Sequence, residues 1–329
     1  MDLYIDKENL RSLIKAKDRD EYPDCLRMMK RQLHLVYNID KTSLKNDPEL
    51  MQWVMKASEG RGDSEEKDTF RHEIFPVRPI KSNTCDVWNR EQLSSVYLID
   101  DLDCKKLKGR VLIGEEIGEE VDVLSHLFCG MDYDFHHLYD LKKNFNSWEQ
   151  LTMDNQMLPC TDIILNDRYF FNHDCDLVEC NLSLLFGTLV KNVSNLVNIV
   201  IFTRHNEVLS FGIEKAEGII KDKVNSITGI MPNVTFVTGK KNSYIFHDRF
   251  IITNYRLIRS GSTFIYFDTE GRKITRGGSL DIDSLANRET YTYVGSLLEG
   301  LQRNIDKIYK HNKDMIIGDK VSNFVRFEK

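Results

Sequence analysis

The segment HDRFIITNYRLIRSGS, residues 247–262, gathers the side chains best suited to phosphate chemistry. The imidazole of His247 can act as nucleophile or acid, and the guanidinium of Arg249 can hold a phosphate by a bidentate fork. A small corner at Gly261 and Ser262 lets backbone and hydroxyl donors approach phosphate oxygens. Strand alternation places His247 and Arg249 on one face, where both reach a single anion. The competing readings are ordinary ones: His247 as a structural strand histidine, and Arg249 as a surface residue or the partner of Asp248 or Glu289.

The spacing of these residues resembles the phospholipase D superfamily. Its pattern H-x-K-x4-D-x6-G-S is met position for position by His247, Arg249, Asn254, Gly261 and Ser262, with Arg for Lys and Asn for Asp. A downstream Asn-x-Glu segment of that family has a counterpart in Asn287-Arg288-Glu289. The resemblance covers roughly Cys160 to Lys310 and implies a catalytic set of His247, Arg249, Asn254, Ser262 and Glu289, with Arg249, Gly261 and Ser262 on the phosphate. In such enzymes the His attacks phosphorus, the Lys stabilises the equatorial oxygens and the Asp orients the His, with no metal and no cofactor. Arg249 keeps the charge of the Lys. Asn254 removes the charge of the Asp, which leaves the imidazolium less supported. The family also needs two copies of the motif, one His attacking and the other protonating the leaving group. One copy stands here, so the expectation is a homodimer joined across its axis, as in small bacterial endonucleases of the superfamily; the alternative is a degenerate half within residues 1–159.

The elements that must position these residues are legible from periodicity. TDIILNDRYFFN reads as one or two strands, and DLVECNLSLLFGTLVKNV as a helix with Leu182, Leu185, Leu189 and Val193 on one face. VNIVIFT is a continuous apolar run of buried-strand length, GIEKAEGIIKDKVNSI an amphipathic helix, and NVTFVTG another strand. Strand, helix, strand, helix, strand implies parallel pairing with crossover helices. SYIFHDRFIITN and LIRSGSTFIYFD follow as two further strands, and YVGSLLEGLQRNIDKIYK as a closing helix. Upstream, Leu3 to Ile5 reads as a short strand followed by a helix from Lys7, and Leu26, Met29, Leu33 and Val36 fall at helical spacing. SVYLID and RVLIG are β-like, whereas Ser58 to Thr69 lacks apolar residues and reads as a surface loop. The expected fold is α/β: a phospholipase D-like mixed sheet flanked by helices in residues 160–329, preceded by an α/β domain in residues 1–159.

Composition sets limits on function. The 329 residues are 41% hydrophobic and 29% charged, as in ordinary globular proteins, with no apolar stretch long enough to span a bilayer and a charged N-terminus unlike a secretory signal. A cytoplasmic protein is expected. Seven cysteines without a C-x-x-C pair read as reduced thiols rather than a disulfide framework or a zinc site. The net charge of −6 conceals a local surplus of about +5 between Lys240 and Arg276. Its basic members are Lys240, Lys241, Arg249, Arg256, Arg259, Arg272, Lys273 and Arg276, a candidate footprint for phosphate groups or a merely solvated face.

Other clusters carry weaker signals. Cys129, Asp132, Asp134, His136, His137 and Asp140 are metal-ligand types without a recognised metal spacing. Asp6, Asp100, Asp101 and Asp103 sit at strand ends, where carboxylates group in some nucleases but more often cap turns and helices. His173 to Asp176 reads as the turn opening the next helix. The functional expectation is a protein that binds, and in its active form hydrolyses, phosphodiesters, nucleic acid being the favoured class. By analogy with such modules, it would belong to bacterial defence against foreign DNA. The alternative is a catalytically inactive binding or scaffold subunit with a protein partner on the acidic N-terminal half.

Overall fold

The fold is available as a computed structural model that describes residues 2–20, 22–23, 25–26, 34–39, 41–58, 71–73, 96–98, 136–152, 160–191, 196–240, 247–275, 277–285 and 287–327. Strand β1 (Asp2–Asp6) leads into α1 (Lys7–Lys15), which Asp6 caps by accepting the Asn9 backbone N–H at 3.0 Å. Then come β2 (His34–Asn38), α2 (Lys41–Lys45), α3 (Pro48–Ser58), β3 (Arg71–Glu73) and β4 (Val96–Leu98). These strands form a parallel sheet in the order β3-β2-β1-β4. Val36 lies in β2, not on the helix that its spacing from Leu26 suggested, because residues 34–38 pair with β1.

The remaining strands are β5 (His136–Asp140), β6 (Asp162–Asn166), β7 (Asn198–Arg204), β8 (Asn233–Gly239), β9 (Arg249–Thr253), β10 (Arg256–Ser260), β11 (Ser279–Ser284) and β12 (Ile316–Gly318). They build one mixed sheet in the order β12-β8-β7-β6-β9-β10-β11-β5. β6, β7 and β8 are parallel, and every other pairing is antiparallel. The parallel connections run through α4 (Cys175–Leu189), then through α5 (His205–Phe211) and α6 (Ile213–Thr228). Helix α7 (Arg288–His311) follows β11.

Because the central strands are apolar on both sides, the sheet needs cover on both faces. One face, with Leu165, Ile199, Ile201 and Ile251, packs on Leu182 and Leu185 of α4 and on Ile220 and Val224 of α6. The other, with Ile164, Val200, Phe250 and Ile252, meets the stripe Val294, Leu298, Leu301, Ile305 and Ile308 of α7. Leu3, Ile5, Leu35 and Tyr37 of the N-terminal sheet join this second core.

The large sheet reaches back across residue 159, the expected domain boundary. β5 closes its edge by pairing with β11, and Trp148, 2% exposed, belongs to the core beneath α4. The four cysteines among the described residues, Cys25, Cys160, Cys175 and Cys180, are thiols. No helix among the described residues is long and apolar enough to cross a membrane.

Candidate functional site

Open α/β sheets present a crevice outside the carboxyl ends of their parallel strands, and loops leaving those ends converge there. In this sheet β6 ends at Asn166 and β7 at Arg204, while β9, running antiparallel to β6, begins at the same edge with Phe250 opposite Asn166. β10 ends there too, with Ser260 opposite Arg249. The topology therefore gathers Asp167 to Tyr169, Arg204, His247 to Arg249 and Gly261 to Thr263 at one edge.

The centre of the site is the ring of Tyr169. The guanidinium carbons of Arg204, Arg168 and Arg249 lie 4.3, 4.6 and 5.1 Å from its centroid, within cation–π range. The His247 ring meets it edge-on at 6.4 Å. Arg168 also donates to the Tyr169 hydroxyl. That bond, with the charges of Arg168, Arg204 and Arg249, holds the Tyr169 phenol below its usual range.

Buried polar groups fix this edge. Asp167, completely buried, accepts from Thr263 Oγ1 at 2.7 Å, Phe264 N at 2.8 Å and Tyr169 N at 2.9 Å, tying the end of β6 to the segment after β10. Burial raises its pKa, and these three bonds and the Arg249 charge oppose the rise. Asn166 donates to the Asp248 carbonyl and so anchors the bend that carries His247. Arg204 is paired with Glu207 at 2.8 Å.

The expected site residues divide into those at this edge and those elsewhere. His247 is exposed in the bend before β9 and Arg249 opens the strand, so the two share the Tyr169 ring. Gly261 and Ser262 lie beside them but not as backbone donors. The Gly261 N–H bonds Ser279 O at 3.0 Å, and the Ser262 N–H bonds Ser260 Oγ at 3.1 Å. Gly261 instead offers its carbonyl to Arg249 Nη1 at 3.5 Å, and Ser262 Oγ donates to Thr263 O at 3.4 Å.

Asn254 and Glu289 belong to the opposite edge, which corrects the orienting role expected of Asn254. It follows the last residue of β9, five residues or roughly 16 Å of strand beyond Arg249. Fully buried, its Oδ1 accepts from Thr161 N at 2.7 Å and Asp162 N at 3.1 Å. Glu289 is exposed in the first turn of α7, after β11 has run back to the Arg256 end. Asn287 caps that helix by accepting from Glu289 N and Thr290 N at 2.9 and 3.0 Å.

The basic surplus is dispersed as well. Arg256 is 3% exposed and donates to Leu151 O at 2.7 Å, and Arg259 pairs with Asp283. Arg272 pairs with Asp268 and Glu270, and Lys273 bonds Lys142 O and Asn146 Oδ1. Lys240 is exposed at the end of β8, while Lys241 and Arg276 fall outside the described residues. Only Arg249 of the described set reaches the Tyr169 ring.

The weaker candidates resolve similarly. Among the described residues no group of three or more His, Cys, Asp or Glu side chains is arranged to hold a metal. His136 pairs with Asp281 at 3.3 Å, and Asp140 accepts the backbone N–H groups of Lys142 and Lys143. Asp174 stands at the N-cap of α4. Cys129, Asp132, Asp134, Asp100, Asp101 and Asp103, like the RVLIG strand and the loop from Glu59 to Thr69, lie outside the described residues.

Arg168, Tyr169 and Arg204 carry no motif and were absent from the sequence-based site. Their signal was positional: Arg168 and Tyr169 lie two and three residues past the carboxyl end of the apolar strand β6, and Arg204 ends β7. Compared with known proteins, the chain matches no family model and no curated relative.

Proposed function

We propose that this edge binds a phosphate ester of nucleic acid in the manner of a phospholipase D-like protein, with His247 at its mouth as the attacking group. The observation that carries the reading is the convergence of three guanidiniums and one imidazole on the Tyr169 ring. Guanidiniums supply the planar forks that suit phosphate oxygens, and an exposed imidazole beside them is placed to attack phosphorus. In such a step the His247 nitrogen bonds phosphorus while the ester P–O bond breaks, and the departing oxygen takes a proton. A second His247, contributed across the axis of a homodimer, is the proposed donor.

The test is hydrolysis of an activated phosphodiester in the presence of a chelator, with His247→Ala beside the wild type and light scattering to give the oligomeric state. Chelator-resistant turnover that His247→Ala abolishes, in a dimer, is the expected result. Turnover that survives His247→Ala and disappears with the chelator would refute the histidine mechanism.

A second reading, a binding subunit without catalysis, draws support from one feature. Among the described residues no hydrogen bond holds the His247 ring, whereas a nucleophilic imidazole is normally oriented by a fixed acceptor. Anion binding with no turnover at any protein concentration would favour it.

A further inference from the structure

We infer that the arginine cluster takes the terminal phosphate monoester of a nucleic-acid strand in preference to an internal diester. The inference rests on the phosphate-site reading above and specifies its ligand.

Three observations support it. First, the cationic groups meet at one point. A protein that follows a strand backbone spreads its basic side chains along a groove, since each internal phosphate needs its own partner. Here Arg256, Arg259, Arg272 and Lys273 are committed to carbonyls or carboxylates elsewhere. Second, the uncommitted guanidinium forks suit an anion with three terminal oxygens. Arg204 is neutralised by Glu207, while Asp167, completely buried and bonded by Tyr169, Thr263 and Phe264, offers no exposed oxygen. Among the described residues, Arg168 and Arg249 remain as two guanidiniums without a carboxylate hydrogen bond. A phosphate monoester carries about −1.5 to −2 at pH 7, against −1 for a diester, and has three terminal oxygens instead of two. Third, among the described residues the buried Nε–H groups of Arg168 and Arg249 have no acceptor. Unmet donors of this kind are rare in folded proteins, and they mark the two guanidiniums as uncommitted.

The test compares one internally labelled single-stranded oligonucleotide in three forms, with a 5′-phosphate, with a 3′-phosphate and with both ends hydroxyl, by fluorescence anisotropy at one fixed salt concentration. One phosphorylated form is expected to bind about tenfold tighter than the hydroxyl form, a difference of about 1.4 kcal/mol. Arg168→Lys and Arg249→Lys, which keep the charge and lose the fork, are expected to erase that preference, with circular dichroism confirming the fold. Equal binding of all three forms, weakened alike by Arg249→Lys, overturns the inference and leaves the phosphate-site reading standing. Binding that neither variant alters overturns both. Competition by a nucleoside monophosphate as strong as by the phosphorylated strand would make the ligand a free monoester and overturn the strand-end assignment.

Discussion

The amide oxygen of Asn254 accepts the backbone N–H of Thr161 at 2.7 Å, at the opposite end of β9 from Arg249. The Asn254 Nδ2 group donates to Thr161 Oγ1, which in turn donates to the buried carboxylate of Asp162. An Asp at position 254 would still accept the two backbone N–H groups but would lose that donation and set a second carboxylate beside Asp162. Asn254→Asp is therefore expected to destabilise the protein by about 2 to 3 kcal/mol, as leaving buried polar groups unmatched does, and to leave any phosphodiester hydrolysis unimproved. Thermal unfolding and a turnover assay on the same preparation check both halves. A gain in turnover without loss of stability would restore Asn254 to the catalytic set.

Arg249 and Arg256, seven residues apart, separate binding from folding. Arg249→Ala is expected to weaken oligonucleotide binding by about 1.5 to 3 kcal/mol with little change in melting temperature. Arg256→Ala, which removes the buried bond to Leu151 O, is expected to lower stability by a comparable amount and leave affinity per folded molecule unchanged. Anisotropy titrations paired with melting curves distinguish the two. Equal losses of affinity would mean that the basic surplus acts as one surface after all.

The alternation of strands and helices from β6 to β8 was legible because those strands are apolar on both faces and the intervening helices carry period-3.6 stripes. β5 was not assigned to this sheet, since HHLYD has a polar, half-exposed pattern suited to an edge strand, and its partner β11 lies 139 to 147 residues away in register. In the site, His247 and Arg249 meet at the Tyr169 ring, although His247 stands in the bend before β9 rather than on the strand face that alternation suggested. Asn254 was misplaced for a physical reason: five residues of extended chain carry a side chain from one edge of a sheet to the other. Arg204 meets Arg168 and Tyr169 only through parallel pairing of β6 and β7, which fixes register that no single segment encodes.

The indole of Trp148 offers a check on where the C-terminal unit begins. It stacks on Tyr266 at 4.8 Å between ring centroids, packs edge-on to Phe145, and donates to Asn181 Oδ1 at 3.3 Å. Trp148→Ala is expected to cost about 3 to 5 kcal/mol, and Trp148→Phe less, because it keeps most of the packing and loses the hydrogen bond. Urea unfolding measures both. An unchanged midpoint for Trp148→Ala would show that the unit folds independently of residues before 159.

Asp162 gives a prediction for the dependence of stability on pH. Its carboxylate accepts from Asn323 N and Nδ2, both at 2.7 Å, from Ser322 Oγ at 2.9 Å and from Thr161 Oγ1 at 3.0 Å, pinning the segment after β12 to the start of β6. Burial nevertheless outweighs these donors, and the pKa of the folded protein stands above the ordinary value of 3.8. At a pH below that ordinary value the group is protonated in both the folded and unfolded states. As pH rises past it, the unfolded chain releases its proton first while the folded chain retains one, so the unfolded state binds fewer protons and stability falls until the raised folded pKa is passed. Asp162→Asn does not titrate. As pH rises above about 4, the wild type should lose stability relative to Asp162→Asn, and the loss should level off above the folded pKa. Urea midpoints across that range decide the matter, with the half-buried carboxylates Asp140 and Asp268 common to both proteins and cancelling in the difference. Parallel curves would mean that Asp162 ionises alike in both states, and that its donors fully offset the cost of burying its charge.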